Sequence, residues 1–221
     1  MISNNVTSRF SKKTVIAATT TAIAALATAG PAFAHHAMGG GLPSTMWQGF
    51  VSGVAHPVIG IDHLAFVVAV GLASAFLPNK WFPPLAFIAA TVVGCLMMVG
   101  GVTLPLAEIV ITASVVLLGG MLLAGRSLSL PLYAGLFALA GLFHGNAYGG
   151  SIVGAESTPL VSYLIGFAVI QFAIAGGVAA LVSSLRQTDL SNALAPRLAG
   201  AVAAGVGVAL LIENVEAMIF I

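Results

Sequence analysis

Apolar runs of about twenty residues, parted by short polar connections, fill this chain from residue 46 to residue 217. They fall at 46–77, 83–101, 104–124, 130–149, 159–184 and 197–217, each near or above the ~20 residues that a helix needs to cross the hydrocarbon core. The pattern predicts an all-α, polytopic membrane helix bundle with six transmembrane segments. The first run is too long for one simple helix.

Ahead of them, residues 1–34 carry Arg9, Lys12 and Lys13, then an apolar stretch from Val15 to Leu26, then Ala32-Phe33-Ala34. A basic start, an apolar middle and an A-x-A end are the parts of a cleavable signal peptide. The expected organisation is a signal peptide at 1–34, a short periplasmic N-terminal segment at 35–45 and a six-span membrane domain at 46–221.

Composition agrees. The chain is 59% hydrophobic and 6% charged, against about 25% charged for a soluble domain. Its few Lys and Arg are scattered singly, so no basic patch exists to neutralise phosphates and no nucleic-acid partner is expected. A single cysteine, Cys95, allows neither an intrachain disulfide nor a CxxC motif.

The remaining bases test the span count. Lys80, Arg126, Arg186 and Arg197 all fall in connections on one side of the six segments. The positive-inside rule makes that side cytoplasmic and turns both mature termini outward. Glu108, Glu156, Glu213 and Glu216 then mark the outer side, where an acidic mouth would concentrate cations.

Polar chemistry gathers inside the first run, at His56-Pro57-Val58-Ile59-Gly60-Ile61-Asp62-His63. Ionisable groups at membrane depth are costly, so they mark functional sites by default. On an unbroken helix His56 and His63 would share a face but stand about 10.5 Å apart along the axis, too far for one ion with ligands at about 2.1 Å. Pro57 removes a backbone donor and Gly60 widens the allowed dihedrals, so the segment is predicted to break between His56 and Gly60. The break would fold His56 back toward Asp62 and His63.

Imidazoles with a carboxylate suit Ni²⁺, Co²⁺, Zn²⁺ or Cu²⁺ better than oxygen-loving ions. His144, in the outer third of the fourth run, shares a helix face with Tyr148. His35 and His36, at the start of the mature chain, form a candidate outer capture site, and Glu108 opens the third run at the same side. Gln171 and the Gly176-Gly177 pair are read as helix contacts. No GxSG motif supports an intramembrane serine protease, although Ser151 and His144 are the nearest such pair. The histidines inside the bundle are too few for a di-iron oxygenase, and no enzyme activity is expected.

These residues resemble the HupE/UreJ family of membrane proteins, which is associated with nickel or cobalt supply. The family's HPxxGxDH signature is complete at His56, Pro57, Gly60, Asp62 and His63, followed by Val70-Gly71-Leu72; Pro105-x-x-Glu108, Ser114 and Phe143-His144-Gly145 also look like family positions. The leader and the His35-His36 opening look most like the family's cyanobacterial members. Many relatives carry a further His near Tyr148 and another in the fifth span, where this chain has Tyr148 and Gln171.

The resemblance implies a permease of the bacterial inner membrane carrying Ni²⁺ or Co²⁺ inward as substrate, with no permanent cofactor. It places His56, Asp62, His63 and His144 in the metal path. A metal-binding accessory protein that does not transport would use the same ligands. The expected partners are the divalent ion and the lipid bilayer, with a homo-oligomer left open.

Overall fold

The computed structural model describes residues 41–220; the leader, His35 and His36 lie outside them. Among the described residues all regular structure is helical. The order is α1 (Met46–Ile59), α2 (Ile61–Ser74), α3 (Phe82–Val99), α4 (Ala107–Leu123), α5 (Leu130–Gly150), α6 (Ser157–Leu185) and α7 (Leu194–Ile219), with a 3-10 turn at Leu190–Asn192 before α7.

The first apolar run is split, as its length requires, into α1 and α2, whose axes meet at 81°. The position of the break differs from the expectation in detail. Helix α1 runs straight through Pro57, and the chain turns only at Gly60, whose N–H closes α1 on His56 and whose carbonyl opens α2 by accepting Leu64 N. Nor does Gly60 use a glycine-only conformation, since its φ is −70°. Glycine is required for space: a Cβ there would lie 2.6 Å from His63 Cδ2.

Helix α2 is the centre of the bundle. Ten of its 14 residues are buried, whereas α7 buries only Gly200, Ala203 and Gly207. A helix apolar on every side is stable only when surrounded. Phe66, Val67 and Val70 of α2 form the core with Phe87 of α3, Leu118 of α4 and Phe137 of α5.

Around it the outer helices pair closely: α3 on α5, α4 on α7 and α1 on α6. Small residues allow this, because in lipid helices associate by close packing rather than by hydrophobic exclusion. On α5, Gly141, Gly145 and Gly149 lie against the backbone of Phe87, Thr91 and Cys95, so that any Cβ would meet a carbonyl oxygen within 2.8 Å.

Three of the helices, α3, α6 and α7, are long and apolar enough to cross a membrane singly, and α1 with α2 qualifies as a bent pair. That makes three spans by length and composition, or four with the pair as one, against the six expected. Helix α4 is apolar but only 17 residues long. Helix α5 has 21 residues, and His144, Asn146 and Tyr148 in its last two turns dilute its hydropathy.

Contacts between connections define the two ends. Lys80 Nζ donates to Ser183 Oγ at 2.7 Å, Arg186 lies 5.3 Å from the Phe76 ring, and Arg197 donates to the carbonyls of Leu123 and Ser191. Gly125, beside Arg126, lies against Ser191 and Arg197, so the four bases beyond the leader gather at one end. At the other, Asn214 Nδ2 donates to the Glu108 carbonyl, and Asn146 pins the α3–α4 connection by donating to Val102 O and accepting from Leu104 N.

Candidate metal centre

The break at Gly60 creates a helix start inside the bundle. Asp62 stands in the first turn of α2 and its Oδ1 accepts from His63 N at 2.8 Å. The partial positive charge of a helix N-terminus favours a carboxylate there, and the opposing end of α1 presents partial negative charge beside it. A straight helix would supply neither.

The break also closes the distance that a straight helix imposes. The rings of His56 and His63 are 6.1 Å apart between centroids, and Tyr148 lies 5.0 Å from the first and 4.4 Å from the second. His144, one turn before Tyr148, meets His63 with Nδ1 to Nδ1 at 2.9 Å. All three imidazoles are at most 6% exposed. Two histidines thus flank one tyrosine ring, and a third, from another helix, pairs with the second of them.

Hydrogen bonds link the inner pair to α4. Ser114 Oγ lies 2.6 Å from Ile111 O and 3.1 Å from His144 Nε2. With its proton on the carbonyl, His144 Nε2 donates to Ser114 and, for neutral rings, His63 Nδ1 donates to His144 Nδ1; with its proton on His144 Nε2, the order reverses.

His56 is held differently. Its Nδ1 lies 3.2 Å from Ser151 Oγ, which is also 2.9 Å from Tyr148 O and 3.2 Å from Tyr163 Oη; Tyr163 itself donates to Tyr148 O at 3.0 Å. Ser151 has one proton and two acceptors, so this ring can receive or give a hydrogen bond. The serine near a histidine is real, but its partner is His56 rather than His144.

Two nitrogens bound to one ion at right angles, each at about 2.1 Å, lie about 3.0 Å apart. The His63–His144 spacing of 2.9 Å is that of an N–H···N hydrogen bond, and joint ligation of one ion would turn both rings while keeping the nitrogens about as close. Among the described residues, however, no three His, Cys or carboxylate groups already form a closed cage. The cluster is hydrogen-bonded together, and a cation would exchange for the shared proton.

Glu108 lies elsewhere. It is exposed at the start of α4, with its carbonyl taken by Thr112 and Asn214, and among the described residues no recorded contact joins it to the imidazoles. Sequence reasoning missed Tyr163 and gave Ser151 the wrong histidine. A phenol inside an apolar run was the available signal, because a buried Tyr hydroxyl has to find an acceptor.

Comparison with known proteins adds two findings. The family described as "HupE / UreJ protein" matches residues 23–210. "Protein HupE" of Rhizobium leguminosarum bv. viciae is 30% identical over 178 residues, covering 74% of this chain and 90% of that protein. No solved structure matches.

Proposed function

Because the chain belongs to the HupE/UreJ family, whose members are membrane metal transporters and accessory proteins rather than enzymes, we propose that it is a permease for divalent transition-metal ions, nickel or cobalt. The observation that carries this reading is the placement of His56 and His63 on either side of Tyr148, with His144 paired to His63, beside a helix break inside an apolar bundle.

In this reading α1 and α2 form one broken span and α3 to α7 the other five. The basic end faces the cytoplasm of a bacterial inner membrane and the Glu108 end faces the periplasm, with both termini outside. The acids there, with His35 and His36, collect hydrated cations. The ion sheds water as it reaches His56 and then the His63–His144 pair, while Asp62, held on the α2 N-terminus, balances its charge.

Non-helical backbone at this depth is tolerated where it lines a cavity, as the Gly60 turn would. Discontinuous helices bind substrate ions in the same manner in many transporters. Inward passage of a divalent ion across the whole potential gains about 4.6 kcal/mol per 100 mV. The site then needs only to lower the barrier.

Accumulation of labelled Co²⁺ and Ni²⁺ in proteoliposomes carrying the full chain tests the proposal. Uptake of either metal that is lost in His56→Ala and in Asp62→Asn, at equal protein abundance, is the expected result. Binding without accumulation would assign an accessory role instead, and uptake unchanged in both variants would reject the site.

A further inference from the structure

Three buried side-chain oxygens among the described residues have no hydrogen-bond partner: Tyr148 Oη, Gln171 Oε1 and Ser74 Oγ. All three side chains are fully buried. Leaving such a group unpaired costs about 1–3 kcal/mol, and a membrane interior supplies no bulk water to relieve it. Tyr148 belongs to the imidazole cluster. Gln171 and Ser74 do not.

The Gln171 amide is unambiguous in orientation. Its Nε2 donates to Thr91 Oγ1 at 3.3 Å and to Phe167 O at 3.1 Å; Thr91 Oγ1 has given its own proton to Ile88 O. Both neighbours accept, so the nitrogen must face them, and the oxygen is the atom left without a partner.

Register sets the depth of both groups. Gly71 of α2 packs on Ala175 of α6, where a Cβ would lie 2.5 Å from the Ala175 carbonyl. The two helices run in the same direction, since Lys80, just beyond α2, bonds Ser183 near the end of α6. Gln171, one turn before Ala175, is therefore level with Val67, one turn inward of His63. Ser74 follows His63 by eleven residues, which returns it to within about 20° of the same helix face and about 16 Å nearer the basic end.

Resting on the permease reading, we propose that Gln171 Oε1 and then Ser74 Oγ are the inward stations of the cation route, taking the ion from the imidazole cluster toward the basic end. Neutral oxygens hold a nickel- or cobalt-like ion more weakly than imidazoles do. A route of descending grip lets the ion leave, because conduction needs sites that bind and release. The groups move the ion without setting how tightly the protein binds it.

Equilibrium binding of Co²⁺ to the purified chain and Co²⁺ uptake into proteoliposomes, measured side by side, test this. Removing an oxygen that receives a charged species costs enough to slow transfer about tenfold or more, so Gln171→Leu should cut uptake by that factor and leave the binding constant within twofold. Ser74→Ala should do the same to a smaller extent. Thr91→Val removes the amide's structural partner but keeps its oxygen, and both measurements should stay within twofold of the parent chain.

Equal losses in Gln171→Leu and Thr91→Val, or no loss in Gln171→Leu, would overturn the proposal. Should Gln171→Leu fail to fold, Gln171→Glu serves: a carboxylate at an ion station retains a second Co²⁺ per chain and slows uptake, whereas one Co²⁺ per chain overturns the assignment. His63→Ala separates the two levels of inference. If it loses binding and uptake while Gln171→Leu changes neither, the inward stations alone are wrong; if His63→Ala changes nothing, the imidazole site is wrong and the stations fall with it.

Discussion

The two histidines contributed by the broken segment live in contrasting environments. His63 belongs to a buried chain of hydrogen bonds, His63 to His144 to Ser114 to the Ile111 carbonyl, in which its partner is a second imidazole. His56 shares a hydroxyl with two competitors, so its partner Ser151 can turn either way. One imidazole faces a second ring and the other a shared hydroxyl. The difference fits the order in which an incoming ion would meet them: a single imidazole among hydroxyls accepts a partly hydrated ion, and a pair of imidazoles completes its dehydration.

The largest effect should come from breaking the imidazole pair. His144→Ala leaves His63 Nδ1 with no imidazole across from it, and truncating one partner of a buried polar pair costs about 1–3 kcal/mol before any ligand is lost. Metal uptake should fall by about a hundredfold or more, on the scale at which each 1.4 kcal/mol is tenfold. Uptake assays normalised to membrane protein abundance check it.

Gly60→Ala comes next. The new methyl would have to displace the His63 ring or the Asp62 carboxylate, from which it would be 2.6 and 3.3 Å away. Overpacking of this kind costs about 1–3 kcal/mol, so both thermal stability in detergent and uptake should drop, the latter by about tenfold. A purely conformational role for glycine predicts no penalty, because φ is already −70°.

Ser114→Ala sharpens the comparison directly. Without the hydroxyl, His144 loses the partner of its Nε2, while every ligand remains. Uptake should fall by about threefold to tenfold, corresponding to one lost hydrogen bond. Ser151→Ala should cost less than twofold, since Ser151 divides its hydroxyl among His56, Tyr163 and the Tyr148 carbonyl. Equal losses at both serines would erase the distinction between the two environments.

Glu108→Gln should have the smallest effect. The side chain is exposed and outside the cluster, so its contribution is steering of cations, which salt screens. Half-maximal uptake concentration should rise slightly at low ionic strength and return to normal at about 0.15 M salt.

Much of this was legible in the sequence because its signals are local. Apolar runs announced helices, and the spacing of His56 and His63 demanded a break if both were to serve one centre. The i, i+4 placement of His144 and Tyr148 put both on the face that meets α2. The exact turning point was not legible, because Pro57 is a strong helix breaker in isolation yet sits near the end of α1, where packing holds it.

Other parts depended on distant contacts. Ser151 follows Tyr148 by three residues, and only the folding of α1 against α6 reveals that it serves His56. Tyr163 lies fifteen residues beyond Tyr148 and bonds its carbonyl across the α5–α6 connection. The depth of Gln171 could be assigned only once Gly71 was seen against Ala175. Of the six spans read from the apolar runs, three single helices and the pair bent by 81° are long and apolar enough to cross a membrane, while α4 is short and α5 carries polar residues in its last turns.

The central claim is that the break at Gly60 assembles histidines from α1, α2 and α5 into one cation-binding centre. X-ray absorption of the Co²⁺-loaded chain measures it most directly, by counting imidazoles around the metal. The account predicts at least two imidazole ligands in the parent protein and the loss of one in His63→Ala. An oxygen-only shell, or a shell unchanged by that substitution, would contradict it.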